Sequence, residues 1–174
     1  MNNQIKKYWL NKSKLVEWHN SPKKIYNKKN NFHKDWFPDG KLNIYDNCIL
    51  RNINEGISKK ISLITINNEK KIYKYTYQEL DDLISNFCFK IKNFFKKKSL
   101  LNKKIMIHSS ASIYSAVSML SFAKLGVHFS VVFEDLQLEA INNRIKIFKP
   151  DIFVSRWRRD VFYKKFPKSK LLPT

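Results

Sequence analysis

The apolar and polar positions become regular at residue 61, where Ile61, Leu63, Ile64 and Ile66 form a β-rich run. The polar turn Asn67-Asn68-Glu69-Lys70 separates this run from Ile72, Tyr73 and Tyr75, and the pair predicts a β-hairpin. Next comes Thr76-Tyr77-Gln78-Glu79, which has the form of a helix start in which a hydroxyl and a carboxylate satisfy orphan backbone donors. Leu80, Leu83, Ile84, Phe87, Phe89, Ile91 and Phe94 follow at helical spacing and predict a helix to about residue 95, with a loop over 96–102. Beyond it the pattern alternates between types: a strand at Ile105-Met106-Ile107, a helix over 112–124 and Gly126 as its stop. Residues 127–133 are too apolar for a strand with one wet face, 137–148 are helical by the spacing of Leu138, Ile141, Ile145 and Phe148, and Pro150 precedes a strand at Ile152-Phe153-Val154. Strand, helix, strand, helix, strand with short connections predicts an α/β fold, a parallel sheet covered by helices with right-handed crossovers. No internal repeat interrupts it.

Upstream, the first thirty-five residues are rich in Lys and Asn and punctuated by Tyr8, Trp9, Trp18, Tyr26 and Phe32. This predicts an extended arm docked through its aromatics. Residues 36–51, Trp-Phe-Pro-Asp-Gly-Lys-Leu-Asn-Ile-Tyr-Asp-Asn-Cys-Ile-Leu-Arg, read as a turn-rich loop. There Pro38 sets φ, Asp39 bonds its own backbone and Gly40 tolerates positive φ.

A length of 174 residues suits one domain with a real core, and 43% hydrophobic residues support folding. The formal charge of +20 points toward a polyanionic partner. However, Lys is spread along the whole chain together with abundant Asn and Ile, a pattern expected of compositional drift, and no specific nucleic acid is expected. Cys48 and Cys88 have neither disulfide-framework nor zinc spacing, so reduced thiols are expected and no metal is assigned. With no signal-peptide run at the start and no membrane-length apolar stretch, a cytoplasmic protein is expected. His108 and His128 fall in apolar strands and read as packed or hydrogen-bonded groups. Asp81 and Asp82 read as a surface pair suited to the helix dipole. No residue is assigned a catalytic role.

Three strings carry a family resemblance. They are residues 36–51, then Tyr75-Thr76-Tyr77-Gln78-Glu79-Leu80, then Leu125-Gly126 through Ser130-Val131-Val132-Phe133 to Glu139-Ala140 and Arg144-Ile145. In order and content they resemble the AMP-forming acetyl-CoA and propionyl-CoA synthetases. The resemblance implies a two-step ligase using a short-chain carboxylate, ATP, Mg²⁺ and CoA. It also implies a division into an arm with its motif over 1–55 and, over 56–174, the start of the AMP-binding α/β domain. By this reading the chain is the amino-terminal quarter to third of such an enzyme, and the remainder is a possible partner.

The family's Phe beside the CoA adenine corresponds to Phe133, whose other reading is a core aromatic at a strand end. Glu134 and Asp135 follow where the family has small residues. The family's two phosphate-contacting arginines fall at Val161 and Lys164, and Arg156, Arg158 and Arg159 stand nearby as substitutes or as a solvated basic turn. Gly40, Gly56 and Gly126, the only glycines, build no phosphate-cradling loop, so the chain alone is expected to be inactive and to bind no cofactor tightly. The alternative class is a basic nucleic-acid-binding or non-catalytic interaction module.

Overall fold

The computed structural model describes residues 3–28, 34–95, 100 and 102–155. In chain order the elements are α1 (Asn3–Ser13), β1 (Tyr26–Lys28), β2 (Lys34–Trp36), a π-helical turn (Asp46–Leu50) running into α2 (Arg51–Asn54), β3 (Ile61–Ile66) and β4 (Ile72–Thr76). They continue with α3 (Tyr77–Phe95), β5 (Lys104–His108), α4 (Ile113–Lys124), β6 (His128–Val132), α5 (Leu138–Phe148) and β7 (Ile152–Ser155).

From residue 61 onward the elements fall where the hydrophobic pattern puts them, because their start and stop signals are local. β3 and β4 pair antiparallel, with Ile66 opposite Ile72 and a bulge between Ile61 and Leu63. At the start of α3 the Glu79 amide donates to Thr76 Oγ1 at 3.2 Å and the Thr76 amide donates to Glu79 Oε2 at 2.8 Å, the reciprocal cap its sequence predicts. Helix α4 is capped by Ser112 and stopped at Gly126, whose φ is 66°. Lys149 does the same for α5 in a left-handed conformation, φ 53°, its amide reaching the Ile145 carbonyl at 2.8 Å just before Pro150.

The parallel sheet has the order β6-β5-β7. Its side chains alternate between faces, so Ile105, Ile107, Ile152 and Val154 join Ile91, Phe95, Phe122 and Val127 on the side of α3 and α4. Met106, Phe153 and Val132 pack on Ile141 of α5 on the other side. The middle of β5, Ile105-Met106-Ile107, and the start of β7, Ile152-Phe153-Val154, are accordingly apolar and buried. β6 differs from expectation: among the described residues it pairs with β5 alone, and only Val132 of the strand is buried. His128, expected to be packed, is exposed at its start, whereas His108 is fully buried with Nδ1 3.0 Å from Ser155 Oγ.

A third layer lies outside α3 and α4, where Tyr45 and Ile49 pack on Leu80, Ile84 and Cys88, with Ile53 and Val117 alongside. Helix α3 is therefore buried on two sides. Helix α4 meets it through small residues: Ser121 Oγ donates to the Ile84 carbonyl at 3.3 Å, and Cys88 Sγ lies 3.7 Å from the Ser121 carbonyl. Burial pushes the Cys88 thiol pKa up.

Asp81, expected as a surface group near the helix start, is engaged by side chains from two other segments. Tyr45 Oη donates to its Oδ1 at 2.5 Å, and Lys124 Nζ reaches Tyr45 Oη at 2.8 Å, Ser85 Oγ at 3.1 Å and Asp81 Oδ1 at 3.3 Å. Burial and the Asp81 acceptor raise the Tyr45 pKa. For Lys124, partial burial opposes the charge, but the Tyr45 and Asp81 bonds prevail and its pKa rises. Asn43 adds a bond from Nδ2 to the Ala123 carbonyl, 2.8 Å, at the end of α4.

The first fifty residues depart most from expectation. The arm opens as the helix α1, whose Ile5, Tyr8 and Trp9 share one face at spacings of three and four, and the predicted loop over 36–51 is helical from residue 44, continuing to Asn54. Trp36 receives Trp9 at 5.0 Å and Tyr26 at 5.6 Å between ring centres, and Trp18 meets Phe37 at 5.5 Å. Phe32 lies outside the described residues. Positive φ in the Trp-Phe-Pro-Asp-Gly turn belongs to Phe37, at 48°, and not to Gly40. Gly40 is required for space: a Cβ there would sit 2.5 Å from the Trp18 ring. The Asp39 carboxylate accepts from the Lys23 and Lys24 amides at 3.1 Å, tying the turn to the arm.

Gly40→Ala is expected to destabilise the chain by about 1–3 kcal/mol through overpacking against Trp18, read as a lower denaturant midpoint. Acid tests a second set of contacts. The Asp151 carboxyl is held below its ordinary pKa by the Lys104 amide at 2.9 Å and by Lys103 Nζ at 3.0 Å, and Glu79 is lowered by its bonds from Thr76. Because these folded-state values are depressed, the stabilisation is complete above the unfolded value near 4 and is lost as pH falls through the folded one. Stability should therefore drop from about pH 5 to about pH 3, and Asp151→Asn should flatten part of that slope in pH-dependent denaturation curves.

Candidate functional site

The connection β5-α4-β6 runs to one side of β5, and β6-α5-β7 returns across it to the other, with α4 and α5 on opposite faces. The two directions part between β5 and β7, and the crevice at the carboxyl ends of such strands is where open α/β sheets bind ligands. His108 and Ser155, the last residues of β5 and β7, meet there at 3.0 Å. The Ser109 amide donates to the Val132 carbonyl at 3.2 Å and joins the end of β6 to the same edge.

A cavity of about 840 Å³ opens between this edge and the helices, with Phe87, Phe89 and Tyr114 on its walls and His108, Ser109 and Ser155 at its polar end. The spacing of His108 and Ser155 would suit a nucleophile and its base. Their burial, 0% and 3% exposed, leaves the hydroxyl little surface even toward the cavity it borders, and the contact joins the ends of β7 and β5.

Phe133 is the first residue after β6 and is 53% exposed, so it is not a core aromatic. Its ring offers a stacking face at the carboxyl edge, followed at once by the carboxylates of Glu134 and Asp135. Arg156 and Lys164, with Arg158, Arg159 and Val161, lie outside the described residues, so Phe133 is the one proposed contact whose place can be given. The three glycines are spent elsewhere: Gly40 against Trp18, Gly56 after α2 at φ 80° and Gly126 after α4. Among the described residues no group of three or more His, Cys, Asp or Glu is gathered in metal-binding range, and no helix is long and apolar enough to cross a membrane.

Sequence reasoning missed the His108–Ser155 contact, for which strand-end position was the only signal, and the Tyr45–Asp81–Lys124 cluster, for which there was none. A parallel sheet with helices on both faces defines a class shared with the crystal structure of CmiS6, at a TM-score of 0.57 over 65% of this chain and 26% of that one, with 12% identity. That likeness concerns the fold alone. Residues 1–48 match the acetyl-coenzyme A synthetase N-terminus family. Acetyl-coenzyme A synthetases from Ralstonia pickettii and Syntrophobacter fumaroxidans are 30% and 31% identical over 74% and 79% of the chain. One from Leptospira biflexa is 27% identical over 86%. The chain belongs to the acetyl-CoA synthetase family, in its amino-terminal portion, and spans about a fifth of the length of these relatives, 19–23%.

Because Phe133 lies outside the core, Phe133→Ala should change unfolding free energy by no more than about 0.5 kcal/mol, whereas Phe122→Ala, at a fully buried position, should cost about 3–5 kcal/mol. Chemical denaturation of both variants measures the difference.

Proposed function

We propose that the chain is the amino-terminal scaffold of an AMP-forming short-chain acyl-CoA synthetase, acting in the cytoplasm on acetate or propionate with ATP and CoA to give acyl-CoA, AMP and pyrophosphate. The observation that carries this reading is the family match over residues 1–48, whose side chains brace the fold: Asp39 on two amides, Gly40 beneath Trp18, Tyr45 on Asp81. None of them is placed to move a proton on a substrate. The chain alone is therefore proposed to be inactive.

The edge at Phe133 is the proposed approach of CoA, which when bound supplies the thiol for the second half-reaction. The exposed ring fits an adenine face, a contact of about 1–3 kcal/mol per stacked base. Glu134 and Asp135 suit its phosphates poorly, and Arg156 and Lys164 are the proposed compensating cations. The described glycines do not fit the phosphates of ATP, so no step through ATP or Mg²⁺ is derived from this chain. The charge of +20 also supports a basic nucleic-acid-binding or interaction module, but that class leaves the family match unexplained.

Two assays test the proposal. The chain with acetate or propionate, ATP, Mg²⁺ and CoA should release no pyrophosphate above a blank, and measurable turnover would refute its inactivity. In a chimaera where the chain replaces the corresponding portion of the Syntrophobacter fumaroxidans relative, ligase activity should appear. There Phe133→Ala should raise KM for CoA about tenfold while kcat changes little. A folded but inactive chimaera, or an unchanged KM, counts against the assignment.

A further inference from the structure

The aromatic contacts that dock α1 leave a cleft of about 400 Å³ between that helix and residues 23–26. Its lining is Lys6 and Leu10 from α1 with Lys23, Lys24, Ile25 and Tyr26, so half of the lining residues are lysines and none is acidic. All three lysines are exposed, and among the described residues neither Lys6 nor Lys23 pairs with an acid. Lys24 lies beside Asp39 and is attracted by its charge, but that carboxylate's hydrogen bonds are to backbone amides, those of Lys23 at 3.1 Å, Lys24 at 3.1–3.2 Å and its own.

Both walls are braced. Asp39 fixes two successive lysine backbones, the Phe37 amide donates to the Ile25 carbonyl at 2.8 Å, and Tyr26 and Trp9 both pack on Trp36. The backbones that carry the lysines are thus fixed around one space, so their ammonium groups share it despite mutual repulsion, which a multivalent anion relieves more than a single carboxylate does. Ile25, 6% exposed, with Leu10 and Tyr26 supplies an apolar floor beside the charge.

We propose that this cleft is a binding site for a small anion carrying two or more phosphoryl groups, with room against Tyr26, Leu10 and Ile25 for an organic body. Its volume suits a small molecule, and it draws on residues other than those of the Phe133 edge. The site stands whether or not CoA approaches Phe133.

Calorimetric titration of the whole 174-residue chain, near physiological ionic strength, with inorganic pyrophosphate, orthophosphate and ADP tests the site. Pyrophosphate and ADP should bind, ADP the tighter, and orthophosphate at least about tenfold more weakly. Lys6→Ala and Lys23→Ala should each weaken pyrophosphate about tenfold, while Lys74→Ala and Lys146→Ala, which remove the same charge from β4 and α5, should leave it unchanged. Phe133→Ala should also leave it unchanged, which separates this site from the CoA edge. Circular dichroism confirms that each variant is folded, and Trp9 and Trp36 beside the cleft give a fluorescence readout of the same titration. Equal weakening by all four lysine variants would mean diffuse attraction to a basic protein and would overturn the proposal. So would the absence of pyrophosphate binding.

Discussion

Helix α3 has to bury two faces at once, and the rest of the molecule is arranged around that requirement. One face, through Ile91 and Phe95, closes the sheet; the other, through Leu80, Ile84 and Cys88, would be open to water without Tyr45 and Ile49. Apolar area returned to solvent costs roughly 25 cal/mol per Å², so the segment before the hairpin is part of the core's economy. The buried serines of α4 serve the same end, since small side chains let the two helices approach while Ser121 finds a carbonyl on α3.

The Tyr45–Asp81–Lys124 cluster gives that packing a register. A partly buried carboxylate is tolerated because a phenol and an ammonium both reach it, and the ammonium also lies 4.2 Å from the phenol ring centre. The most family-specific string in the chain therefore does mechanical work. It ties the arm to α3 and α4 through Asp39, Asn43 and Tyr45.

Legibility followed the range of the interactions. The start of α3 could be read because Thr76 and Glu79 cap each other within a single turn, and the ends of α4 could be read because Ser112 and Gly126 act on their own backbone. Helix α1 was hidden by its Lys and Asn content although Ile5, Tyr8 and Trp9 carry a helical spacing. Residues 44–54 were hidden by the turn residues just before them, whose signal ends sooner than it looks. At the candidate site, the position of Phe133 after a strand was legible from the β-branched run. Its exposure was not, because an apolar strand at an edge and one in the middle of a sheet have the same sequence.

By itself the sequence determined the order and type of the elements from residue 61 onward, the parallel α/β class and the family, because periodicity, caps and motif strings are properties of neighbours along the chain. Only the tertiary structure decided that Gly40 is needed for space under Trp18, that Asp81 belongs to Tyr45 and Lys124, and that His108 meets Ser155. The bonds of Asp81 and His108 join residues 36 to 47 positions apart. No local signal encodes them, and they exist only once the layers have packed and removed water from between them.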